Sequence, residues 1–182
     1  MHYDNTPEGD CQGYKGEMSP AVVHANSVIY LTPFRAVMMD KIAWGTVAEY
    51  FIFDGSWLDI YVFNTNIDDW QRVLDQLRHA QYDLVYHRNG NPCELPQNAT
   101  DAFPAPEMHD RLLCVQFAEI VANCHFFAPD EIEFDIDPGQ VQGQRQLDAL
   151  LAFMKLLSDA TSKESVLTPE NFPTNVLLRS HL

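Results

Sequence analysis

The stretch Glu131-Ile132-Glu133-Phe134-Asp135-Ile136-Asp137 constrains the fold more than any other. Apolar and acidic residues alternate strictly, and successive side chains of a strand point to opposite faces. The segment is expected to be a strand with Ile132, Phe134 and Ile136 against a core. Glu131, Glu133, Asp135 and Asp137 then line the other side. Such a strand needs a sheet to pair with and a layer to cover its apolar face.

Hairpin signals supply the sheet. Asn89-Gly90 separates YDLVYHR from NPCEL, and Asp54-Gly55 separates EYFIF from SWLDIYVF. Both dipeptides suit type I′ turns, whose two central residues need positive φ. RLLCVQF and IVANCHFF flank Ala118-Glu119 as a third hairpin. A two-residue turn there sets Phe117 opposite Ile120, Leu113 opposite Cys124 and Cys114 opposite Asn123. Pro92 has no N–H for a ladder, so its strand belongs at an edge. Leu58 to Phe63 is apolar on both faces, which suits a central strand. Two strands are expected within Ser27 to Ala48, broken at Pro33 or at Met39-Asp40, and ESVLT and NVLLR close the chain as short strands.

Helical spacing marks two segments. Ile67, Trp70, Val73, Leu74 and Leu77 form one apolar stripe from Ile67 to Ala80. Thr65 or Asn66 can cap it, Asp68 and Asp69 suit its first turn, and Arg78 and His79 its last. Leu147, Leu150, Leu151, Met154 and Leu157 mark a second helix from Gln144 to Thr161. Between Pro96 and Asp110 only a helical turn near Asn98 to Phe103 is expected.

These elements imply an α+β fold. A mostly antiparallel sheet built from successive hairpins carries two main helices on one face. In pattern, residues 47–95 and 112–179 can be read as two copies of a ββαββ unit. Residues 1–26 read as an acidic, flexible arm, and 27–182 as a single domain.

Composition excludes several functions. With 26 acidic and 11 basic residues among 182, the net charge is −15. That charge repels nucleic-acid phosphates and anionic membrane surfaces. No apolar run reaches the ~20 residues of a transmembrane span, and the first twenty residues lack the apolar core of a signal peptide. Four dispersed cysteines, Cys11, Cys93, Cys114 and Cys124, without a CxxC pair read as reduced thiols of a cytoplasmic protein. No phosphate-binding glycine loop, GxSxG elbow or zinc-ligand spacing is present, and no cofactor or metal is expected. A hard-cation site on the acidic strand would lack the Gly-rich loop that usually builds one.

Two constellations remain. The acidic row Glu131, Glu133, Asp135 and Asp137 suits either a solvated face that protects a sheet edge or the docking of a basic protein. Trp57, Asp59 and Tyr61 share one strand face and are candidate anchors for that partner. Cys114, Asn123 and His125 share a face of the third hairpin, but nothing nearby would activate the thiol. In size, charge and fold class the chain resembles bacterial immunity proteins and other small acidic accessory proteins. That resemblance implies a non-enzymatic module that docks a basic protein partner, as a monomer or a homodimer. The alternatives are a small enzyme using His125 with a nearby carboxylate, or an inhibitor that mimics DNA.

Overall fold

The computed structural model describes residues 42–80, 82–103 and 110–180. Apart from Ile42 they belong to one compact unit, Ala43–Leu182. The acidic arm and residues 27–41 of the stretch Ser27 to Ala48, where two strands are expected, lie outside the described residues; the described end of that stretch is no strand, since Trp44–Val47 is helical. Eight strands form one sheet: β1 (Leu58–Phe63), β2 (Asp83–Arg88), β3 (Asn91–Cys93), β4 (Arg111–Phe117), β5 (Ile120–Cys124), β6 (Glu131–Ile136), β7 (Ser165–Pro169) and β8 (Leu178–Ser180). Their order is β3-β2-β4-β5-β6-β1-β7-β8, and every pairing is antiparallel. The helices are α1 (Trp44–Val47), α2 (Ile67–His79) and α3 (Gln144–Thr161).

Local chemistry accounts for most of these elements. Asn66 caps α2, and its side chain accepts from the Asp68 and Asp69 N–H groups. Asp69 reaches back to the Asn66 N–H and closes a capping box. Asp69 is fully buried, yet it is matched by Arg72 and by Lys163 at 2.8 Å. Asn89 and Gly90 both have positive φ, as do Ala118 and Glu119, so each pair forms the tight turn of its hairpin. The β4–β5 register is the expected one, with Phe117 opposite Ile120, Leu113 opposite Cys124 and Cys114 opposite Asn123. Pro92 sits in the outermost strand, β3.

The core lies between the sheet and the two long helices. On the helix side, β1 presents Leu58, Ile60 and Val62, which pair with Ile136, Phe134 and Ile132 of β6; all six are buried. Phe153 of α3 meets Phe117 and Phe134 with ring centroids 4.7 and 5.2 Å away. Trp70 of α2 packs on Phe126 at 5.1 Å. Among the described residues no helix is long and apolar enough to cross a membrane.

Four expectations change. The Asp54-Gly55 hairpin is absent, because only Gly55 takes positive φ and a type I′ turn needs two such residues. Asp54 instead accepts from the Ser56 N–H in a local turn. The run before it is helical: Trp44–Val47 is α1, and Ala48–Phe51 is a 3₁₀ turn that buries Val47 and Phe51 and stacks Trp44 on Phe51. The first ββαββ copy therefore lacks its leading strand. The acidic strand β6 is interior, between β5 and β1, so its carboxylates do not guard an edge. Finally, Cys93 and Cys124 are free, but Cys114 is disulfide-bonded. The expectation of four reduced thiols therefore fails at Cys114.

The capping box predicts a measurable cost. Asn66→Ala should destabilise the protein by about 1 kcal/mol, read as a lower denaturant midpoint at unchanged slope. An unchanged midpoint would mean that tertiary packing alone holds this helix end.

Candidate functional site

The helices cover one face of the sheet, and the acidic side chains lie on the other. Antiparallel pairing of β1 with β6 sets Asp59 opposite Asp135, Tyr61 opposite Glu133 and Phe63 opposite Glu131. Carboxylate oxygens of Asp59, Glu133 and Asp135 converge to within 4.8 Å of one another. Like charges directly opposed across a ladder destabilise it. The arrangement persists because the same register buries three apolar pairs on the reverse face.

Hydrogen bonds hold the cluster together. The Tyr61 hydroxyl lies 2.9 Å from Asp59 Oδ2 and 3.0 Å from Glu133 Oε1. Asp59 Oδ2 also accepts the Asn171 N–H at 2.8 Å. A phenol carries one proton and can donate to only one carboxylate at a time. The other contact needs a proton on a carboxyl group. The cluster is therefore short of positive charge as it stands.

Burial and mutual repulsion act on the ionisation of these groups. Asp135 is raised to about 7, first by burial and then by the fields of Asp59, Glu133 and Glu170. Burial also raises Asp59, against the hydrogen bonds from Asn171 and Tyr61 that favour its charged form. Glu133 is raised by burial and by Asp59 and Glu131. The Tyr61 phenol is pushed well above its ordinary range by burial and the adjoining carboxylates.

His125 stands at the rim. Its Nε2 is 3.8 Å from Asp135 Oδ2, and its ring stacks on Phe127 at 5.4 Å. The chain reaches this position through Phe126, whose φ of 54° is costly for a bulky residue. That turn sends Phe126 into the core and leaves Phe127 69% exposed. A shallow hollow beside the rim is lined by Trp70, Phe126, Phe127, Ala128, Glu131 and Glu133, and not by His125.

The sequence-derived residues are thus divided. Glu133, Asp135 and Asp59 come together with Tyr61, and Glu131 flanks them. Asp59 and Tyr61 are buried, at 2% and 6% exposure, and a partner surface cannot reach them directly. Asp137 leaves the row, because it turns to accept the Gly139 N–H at 2.7 Å. Trp57 precedes β1 and is tied to Glu170 through its backbone N–H. The disulfide at Cys114 removes the thiol from the Cys114–Asn123–His125 constellation. Three contributors lie outside the sequence-derived set of anchors: Glu170, Asn171 and Asn123. Glu170 and Asn171 belong to the PEN turn after β7, whose polar residues gave no hint of their target.

No family model, curated protein or solved structure matches this chain.

The raised carboxyls predict a direction of pH dependence. Asp135 gains its proton at higher pH in the folded than in the unfolded chain. Its stabilising contribution is present in full below about pH 4 and is lost as pH rises through about 7. Without added divalent ions, the unfolding midpoint should fall between pH 5 and pH 7.5, by up to about 1.4 kcal/mol per pH unit. Asp135→Asn should flatten that slope. A slope that is equally steep in the variant would place its origin elsewhere.

Proposed function

We propose that the chain is a binding module whose carboxylate-bearing sheet face docks a basic protein partner. One observation carries the reading. Asp59, Glu133 and Asp135 have no Lys or Arg ion pair among the described residues, although the chain supplies such partners elsewhere. Asp69 has Arg72 and Lys163, Asp75 has Arg78, Glu119 has Arg145, Asp159 has Lys155, and Glu164 has Arg179. A cationic side chain from a partner would supply the charge that the cluster lacks, and a row of carboxylates steers and orients such a partner. Phe127, exposed beside Glu131 and Glu133, takes the anchoring role expected of Trp57 and Tyr61.

The test compares partner capture from the native host by wild type and by a Glu133→Lys/Asp135→Lys double variant, both in chelator. Capture should be lost in the variant and weakened by salt in the wild type. A Phe127→Ala variant should lower affinity about tenfold or more if the ring is an anchor. Circular dichroism and thermal melts check that each variant folds, and Glu133→Gln/Asp135→Asn replaces the double lysine if it does not. Recovery of the same proteins by wild type and folded variants would overturn the reading.

A second reading has one observation in its favour. His125 Nε2 lies 3.8 Å from Asp135 Oδ2, and Asp135 is raised to about 7, where a carboxyl can exchange protons near neutral pH. Under this reading the pair is the acid–base couple of a small enzyme. His125→Gln separates the two, since it removes an acid–base group and leaves the carboxylates that would dock a partner.

A further inference from the structure

Asn123 is the cross-strand partner of Asp135 on β5 and shares its face of the sheet. The residue is 8% exposed, and its Oδ1 is sealed from solvent with no hydrogen-bond partner. A buried amide oxygen left unpaired costs of order 1–3 kcal/mol. The cost falls beside a group of carboxylates that has no Lys or Arg ion pair among the described residues. A single ligand would answer both deficits: a cation bound by oxygen atoms alone.

We propose that Asp59, Glu133 and Asp135, with the amide oxygen of Asn123, form a binding site for a hard divalent cation, Ca²⁺ in preference to Mg²⁺. All the donors are oxygens, which suits a hard cation and not a thiolate-seeking or imidazole-seeking metal. The preference for Ca²⁺ follows from hydration. The carboxylate oxygens lie within 4.8 Å of one another, a spread that either ion can span. Mg²⁺ gives up its water reluctantly and usually keeps several waters, whereas Ca²⁺ takes about six to eight oxygens in flexible geometry. Asp59 and Asn123 are almost wholly buried, which favours the ion that sheds its water more readily.

This site uses the same carboxylates as the docking reading, but the two fail separately. Partner capture is measured in chelator, whereas cation uptake is measured on the isolated protein. The chain is stripped with chelator and titrated calorimetrically with CaCl₂ and with MgCl₂. Terbium luminescence excited through tyrosine reports proximity to Tyr61. One Ca²⁺ per chain should bind, with Kd in the range of about 10⁻⁴–10⁻³ M, and more weakly bound Mg²⁺ should compete. Asp59→Asn and Asp135→Asn should each lower Ca²⁺ affinity at least tenfold. Asn123→Ala should lower it severalfold, and Asn123→Asp should raise it, because a ligand charge is added. If Asp59→Asn does not fold, Glu133→Gln takes its place. No saturable uptake, or equal affinity in folded Asp135→Asn, would overturn the proposal. Tighter binding of Mg²⁺ than of Ca²⁺ would overturn the hydration argument.

Discussion

The pairing of β1 with β6 is the constraint on which the rest depends. On the helix side it zips Leu58, Ile60 and Val62 to Ile136, Phe134 and Ile132. Burying each of these side chains contributes about 1.5–3 kcal/mol. On the other side the same register opposes Asp59 to Asp135, at a cost of roughly 0.2–1 kcal/mol for a cross-strand pair. The apolar term wins by a wide margin. A slip of one residue would send the carboxylates into the core and the isoleucines out, so no nearby register competes. The acidic cluster is thus imposed by the core and held in place by it.

The same pairing explains why the neighbouring strands matter chemically. β7 lies on the far side of β1, and the turn that follows it brings the Asn171 N–H to Asp59 and Glu170 to Trp57. β5 lies on the far side of β6 and brings Asn123 to Asp135. Four successive strands therefore contribute to one small patch. None of them is an edge, and the patch inherits the rigidity of the sheet centre. His125 and Phe127 sit just beyond the end of β5, where the ladder releases the chain and side chains can face solvent.

Local signals in the sequence were enough for most elements. Asn66 with Asp69 marks the start of α2, Asn89-Gly90 and Ala118-Glu119 mark two hairpins, and the alternation of 131–137 marks β6. Each of these depends on residues a few positions apart. The Asp54-Gly55 signal failed because Glu49 to Phe51 lie in a 3₁₀ turn and both sides of β1 are already paired, with β6 and β7. The site was legible only in halves. Glu133 and Asp135 stood out on one strand, and Asp59 and Tyr61 on another, but their meeting depends on a pairing across 72 positions between Tyr61 and Glu133. Alternating strands carry no label that says which one pairs with which. Asn123 was assigned to the correct face through the β4–β5 register, but its role beside Asp135 needed the β5–β6 pairing as well.

A negative charge of 15 invites the view that the acids serve solubility. That view holds for Asp68 and Asp83, which are exposed. It does not hold for the cluster. A charge kept for solubility is placed where water solvates it fully, and there its ionisation stays near the ordinary value. Asp59 is almost completely buried, and Asp135 titrates near neutrality, so the cluster delivers less charge to the surface than the same residues would elsewhere. It also opposes folding through repulsion that exposed positions on a loop would avoid. Carboxylates that are poor at solubilising and costly to fold are well suited to one thing. They hold a strong, directed negative potential in a fixed place, which is the physical requirement for selecting a cation, whether from a protein or from solution.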